Sequence, residues 1–199
     1  EAAITKVFAS EAMQRTAYEA LQIAGGNGYM RDLPYEQYVR DARILPIYEG
    51  TNGIQSLDLV GRKLPLEGGA VVAEYIEGLK ATVADVRASN RPEFGRMAER
   101  LGAAVDGLAT ATLYLGRKLK DGSEAAQAGA QPYLRLFGLA AGGSYLARSA
   151  LAEVRDGGAG VNVQLARYFA ENHVTVAPGL AETVTSGADA VLGSTAAVA

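Results

Sequence analysis

Apolar positions recur every three or four residues along most of the chain, which predicts helices, and no segment alternates as a half-buried strand does. Near the start, Ile4, Val7 and Phe8, then Ala17, Ala20, Leu21 and Ala24, share one face. Gly25-Gly26-Asn27-Gly28 is expected to stop that helix, because Gly and Asn accept the left-handed conformation common just past a C-terminus. A loop with Pro34 leads to a short helical or irregular stretch over 35–43. Residues 44–48 are too few and too proline-broken for a central strand. Thr51 or Asn52 then caps a further helix, with Gln55 placed three residues after Asn52 as in a capping box. Its expected buried face is Ile54, Leu57, Gly61 and Leu64.

Beyond Leu64 the texture changes from motif-rich to Ala-rich, so the expected domains are 1–64 and 65–199. Val72, Tyr75, Leu79, Val83 and Val86 form one stripe. Asn90-Arg91-Pro92 breaks the chain, with Pro92 in the first turn of the next helix, which is lined by Phe94, Met97, Leu101, Leu108, Thr112, Leu115 and Leu119. After Asp121-Gly122 a third helix carries Leu136, Phe137, Leu139, Ala140, Leu146, Ala150 and Val154. A fourth follows Asp156-Gly157-Gly158, with Val163, Ala166, Phe169 and Ala170 inward and a break expected near Pro178-Gly179. Four helices with short connections predict an antiparallel bundle. Tyr114, Tyr133, Tyr145 and Tyr168 sit in apolar stripes and read as core, and the single histidine, His173, as a surface or satisfied core residue.

Composition narrows the function classes. Apolar residues at 49% and charged residues at 21% describe an ordinary globular chain. A net charge of −3 gives no basic face for nucleic acid. The absence of cysteine excludes disulfides, thiolate metal sites and thiol catalysis, and fits a cytoplasmic protein. No metal-ligand pattern occurs, and no apolar run approaches the roughly 20 residues of a membrane span. The first residues, Glu1-Ala2-Ala3-Ile4, lack an initiator Met and a signal-peptide core, and read as the inside of a helix. A fragment of a longer protein is the expectation.

Three pieces carry chemistry: Gln22-Ile23-Ala24-Gly25-Gly26-Asn27-Gly28-Tyr29, Tyr38-Val39-Arg40-Asp41-Ala42-Arg43, and Ile47-Tyr48-Glu49-Gly50-Thr51-Asn52-Gly53-Ile54-Gln55. In this order and spacing they resemble the end of the acyl-CoA dehydrogenase catalytic domain, and Lys6-Val7-Phe8-Ala9-Ser10-Glu11 resembles the helix that precedes it. The rest of the chain, with the junction Leu59-Val60-Gly61-Arg62-Lys63-Leu64, is similar to the extra C-terminal helical domain of one subgroup, the enzymes like 3-methylthiopropanoyl-CoA dehydrogenase. The implied fold is all-α: the end of the family's C-terminal helical domain followed by a helical bundle.

The resemblance implies a role for each matching residue. Glu49 is the carboxylate that takes the α-proton of an acyl-CoA while hydride passes from Cβ to flavin N5. The backbone N–H of Glu49 is one donor to the thioester carbonyl, and Gly50 leaves room for the thioester. Gln22, Gly25, Gly26 and Gly28 contact the adenosine-diphosphate end of FAD, and Thr51 contacts the flavin. A homo-oligomer, an electron-transfer flavoprotein as acceptor, and N-terminal and β domains supplied by the rest of the enzyme are implied as partners. The plain readings stand beside these: a solvated acid at Glu49, a helix C-cap at the glycines, an N-cap at Thr51. Arg40, Asp41 and Arg43 are expected to form a structural cluster supporting the Glu49 loop, and Tyr29 and Tyr48 to pack. The competing class is a non-catalytic helical module that mediates oligomerisation.

Overall fold

A computed structural model of the chain describes residues 2–158 and 160–196. Every regular element among them is helical, with no strand. None of these helices is long and apolar enough to cross a membrane. The chain divides into two compact units, Glu1–Asp58 and Leu59–Ala199.

In the first unit, α1 (Ala2–Tyr29), α2 (Tyr35–Ala42) and α3 (Asn52–Asp58) are the helices, and α2 and α3 both pack on α1. Ile4, Val7, Ser10 and Ala17 form the buried side of α1. The glycine string bends this helix instead of ending it. Only Gly25 leaves helical geometry, at φ 61° and ψ −148°, and the helix resumes to Tyr29. Residues 44–48 form turns closed by the Ile47 and Tyr48 N–H groups on the Ile44 carbonyl, at 2.9 and 3.1 Å. The capping box does not form. Thr51 Oγ1 accepts the Ile54 N–H at 3.2 Å, so Thr51 is the cap, and Gln55 turns elsewhere. Nor are Ile54 and Leu57 buried; both are exposed, whereas Ser56, Leu59, Val60 and Leu64 are covered. A π-helical turn, Leu59–Lys63, follows α3 and shifts the helical count of the residues beyond it.

The second unit continues from that turn through a 3₁₀ turn at Leu66–Gly69 into α4 (Ala70–Ser89), α5 (Met97–Lys120), the short α6 (Ala125–Ala128), α7 (Ala130–Asp156), α8 (Val161–Asn172), α9 (Ala177–Ser186) and α10 (Ala188–Ala196). Helices α5 and α7 form the central pair; α4 packs on both of them, and so do α8 and α9. Thr112 meets Tyr133 while Leu101 lies beside Gly143, so α5 and α7 run antiparallel. Helix α8 likewise runs back along α7, with Val161 at Glu153 and Phe169 beside Gly142. The core is Leu79, Met97, Leu101, Leu108, Leu115, Tyr133, Leu134 and Leu136, all but sealed from solvent.

Local chemistry sets the helix ends. Asn90 at φ 47° and Gly157 at φ 73° terminate α4 and α7 in the left-handed conformation. Neighbouring helices supply two caps: Glu153 accepts the Val161 and Val163 N–H groups at 3.1 and 3.0 Å, and Glu171 accepts that of Arg96 at 2.9 Å. Pro92 heads a separate 3₁₀ turn, Pro92–Phe94, and α5 starts only after Gly95 at φ 52°. The break expected at Pro178 falls earlier, at His173, because Pro178 occupies the first turn of α9, where its missing N–H costs nothing. Tyr133 is core as expected. Tyr145 and Tyr168, by contrast, are exposed, since their helices keep one face in solvent. His173 is exposed and packs edge and face on Tyr168 and Phe169, 5.4 Å between centroids in each case.

Candidate active site

Three features of the first unit converge on the loop before α3. The first is its backbone. Glu49 has φ 54° and Gly50 φ 80°. A left-handed conformation is cheap for Gly but costs a side-chain-bearing residue on the order of 1–2 kcal/mol. Residues held this way cluster at functional sites, where the surrounding structure enforces the geometry.

The second feature is what holds the loop. Gln55 Nε2 donates to the Glu49 carbonyl at 2.9 Å, and Lys6 Nζ donates to the Gly50 carbonyl at 2.8 Å. Lys6 also donates to Asn52 Oδ1 at 2.9 Å, Asn52 Nδ2 donates to Ser10 Oγ at 3.2 Å, and Ser10 Oγ donates to the Val7 carbonyl at 3.0 Å. The Asn52 N–H closes the loop on the Pro46 carbonyl at 3.0 Å. A Cβ on Gly50 would stand 3.0 Å from Gln55 Nε2, so glycine here suits both the backbone and the clamp.

The third feature is what the loop leaves available. The Glu49 side chain is exposed, and its backbone N–H has no acceptor among the described residues. One residue therefore presents a carboxylate and a free donor together.

At the far end of α1, Gln22, Gly25 and Gly26 are exposed, and a Cβ on either of these glycines would meet nothing within 4 Å. Gly28 differs. It is buried, and a Cβ there would lie 2.6 Å from Ala24 Cβ and 3.0 Å from the Leu21 carbonyl, so close packing behind the kink accounts for it. Glu49, Gly50 and Thr51 thus form one group, and Gln22, Gly25 and Gly26 another; no hydrogen bond among the described residues joins the two. Bare, outward-facing backbone at Gly25-Gly26 fits close approach of a phosphate-bearing cofactor.

Other expectations need correction. Arg40 pairs with Glu36 at 3.2 Å along α2, and no ion pair among the described residues joins Asp41 or Arg43 to the Glu49 loop. Tyr29 and Tyr48 are exposed and lie outside the core. Lys6 and Gln55 were not singled out from the sequence as holding the loop. No spacing rule reveals Lys6, which acts across 44 positions, and the place of Gln55 suggested a cap.

These features define an all-helical chain that displays a carboxylate on a strained, tethered loop. Residues 1–64 match the family described as acyl-CoA dehydrogenase, C-terminal domain, and residues 74–194 the one described as acetyl-CoA dehydrogenase C-terminal like. The chain is 37% identical to 3-methylmercaptopropionyl-CoA dehydrogenase of Ruegeria pomeroyi over 149 residues, 75% of this chain and 25% of that one. It is 54% identical to an acyl-CoA dehydrogenase of Bacillus subtilis over 57 residues, 29% of this chain and 15% of that one. With the mitochondrial short-chain specific acyl-CoA dehydrogenase of Rattus norvegicus it shares 50% identity over 64 residues, 32% of this chain and 16% of that one. The chain belongs to the acyl-CoA dehydrogenase family, and it spans a quarter or less of the length of these relatives.

Proposed function

We propose that this chain contributes the base and part of the cofactor site to an FAD-dependent acyl-CoA dehydrogenase, which introduces an α,β double bond into an acyl-CoA thioester. The observation that carries the reading is the Glu49 loop: a carboxylate and an unpaired N–H presented by one left-handed residue. An α-proton beside a thioester is weakly acidic, so its removal requires a positioned base and a donor on the carbonyl oxygen. In this proposal the Glu49 carboxylate takes the proton, and its N–H donates to the thioester carbonyl as negative charge builds there. Gly50 admits the thioester without a side chain in the way. FAD supplies the acceptor for the hydride leaving Cβ. Gln22, Gly25 and Gly26 would hold its adenosine-diphosphate end, Gly28 keeps their segment packed, and the Thr51 hydroxyl, whose oxygen caps α3, would be the contact to the flavin.

Support for the substrate class comes from the relatives, each named for acyl-CoA oxidation and one for 3-methylmercaptopropionyl-CoA. The same family likeness supports the rest of the proposal: a cytoplasmic homo-oligomer that passes electrons to an electron-transfer flavoprotein, with further domains of the enzyme completing the pocket. Exchange of the acyl-CoA α-proton with solvent deuterium, followed by NMR in the full-length enzyme, tests the role of Glu49. Glu49→Gln keeps the shape and removes the base, and should slow exchange by about 10²–10⁴-fold. Exchange at the parental rate contradicts the assignment.

A further inference from the structure

The geometry points to Lys6 and Gln55 as positioning residues that set the reach of Glu49 by holding the two carbonyls on either side of Gly50. The inference rests on the proposed role of Glu49 and adds to it. A non-glycine residue at φ 54° relaxes toward negative φ unless something opposes it. Here the opposition is local and polar. Gln55 Nε2 grips the Glu49 carbonyl at 2.9 Å, and Lys6 Nζ grips the Gly50 carbonyl at 2.8 Å. Together they fix two successive peptide planes, those that follow Glu49 and Gly50, and so hold the backbone from which the Glu49 side chain projects.

Both tethers are anchored in regular structure. Gln55 stands within the first turn of α3, and Lys6 on α1, where Asn52 shares its ammonium. Both side chains are half-buried, although the two bonds they make to the loop are exposed. The Glu49 side chain itself has no hydrogen-bond or ion-pair partner among the described residues, so its placement is inherited from the backbone. Misplacing a reacting group by about 1 Å can cost on the order of 10²-fold in rate.

The test uses Lys6→Met and Gln55→Glu in the full-length enzyme; both keep shape and remove the donor. Each is expected to slow α-proton exchange about 10- to 100-fold, with KM for the acyl-CoA and the melting temperature little changed, and Lys6→Arg is expected to regain most of the rate. A second readout needs no turnover: hydrogen exchange of the Asn52 amide, whose bond to Pro46 closes the loop, should quicken at least tenfold in both variants. If Glu49→Gln abolishes exchange while Lys6→Met and Gln55→Glu match the parent, the positioning role is wrong and the base assignment stands. If Glu49→Gln exchanges normally, the base assignment is wrong, and the Asn52 amide still reports whether the two residues hold the loop. Should either variant lose exchange only in proportion to lost folded protein, its role is structural and the inference fails.

Discussion

At the scale of single residues, the second unit contains a buried hydroxyl relay with a definite polarity. Thr112 Oγ1 donates to the Leu108 carbonyl at 2.7 Å, and therefore accepts from Tyr133 Oη at 2.8 Å. Tyr133→Phe removes a donor and leaves the Thr112 proton satisfied, and should cost about 1 kcal/mol. Thr112→Val leaves the sealed Tyr133 hydroxyl without a partner and should cost more, about 1–3 kcal/mol, with the double variant recovering part of the loss. Urea unfolding of the four proteins checks this ordering. Burial also pushes the Tyr133 phenol well above its ordinary range. The stability this residue gives is fully present below the unfolded-state pKa of about 10 and is lost as pH rises beyond it. Tyr133→Phe should therefore flatten the alkaline limb of the stability profile.

At the scale of elements, the kink in α1 separates two glycines that the sequence presents as equivalent. Gly25 needs its φ of 61°, and Ala there should destabilise the first unit by about 1 kcal/mol or more. Gly26 is helical with open space around it, so Gly26→Ala should leave stability equal or raised by up to about 1 kcal/mol. If Gly26 exists for close cofactor approach, the same variant should bind FAD at least tenfold more weakly in the full-length enzyme, as read by flavin fluorescence on dialysis. Undiminished FAD affinity would remove Gly26 from the cofactor site.

Much of this level was legible in the apolar spacing. The stripes of α4, α5 and α7 predicted Leu79, Val83, Leu101, Leu108 and Leu136 as core because one period persists over many turns. The face of α3 was not legible, because Ile54 and Leu57 are apolar at helical spacing yet stay exposed. The N-cap at Thr51 was legible from local chemistry. The tethers from Lys6 and Gln55 were not, because tertiary hydrogen bonds leave no periodic trace.

At the scale of the molecule, the two units differ in how completely they cover themselves. The second seals a core of large side chains while leaving some, such as Leu113 and Val161, in solvent; the first, much shorter, leaves Ile23 at 87% and Tyr29 at 75% exposure, with Met13, Tyr18, Met30, Tyr38 and Ile54 also uncovered. So dense an apolar exposure in a short unit fits a surface that other protein covers. Residues 59–199 expressed alone should accordingly be helical by circular dichroism and unfold cooperatively, while residues 1–58 alone should aggregate or remain largely unfolded. A well-folded, monomeric 1–58 would show that its apolar surface needs no partner.

The central claim is that Glu49 is the base of a flavin-dependent acyl-CoA dehydrogenase, and anaerobic mixing of the full-length enzyme with acyl-CoA thioesters tests it most directly. The flavin of the parent should bleach rapidly with at least one thioester, and that of Glu49→Gln about 10²–10⁴-fold more slowly. Equal bleaching in both, or none in the parent with any thioester, would contradict it.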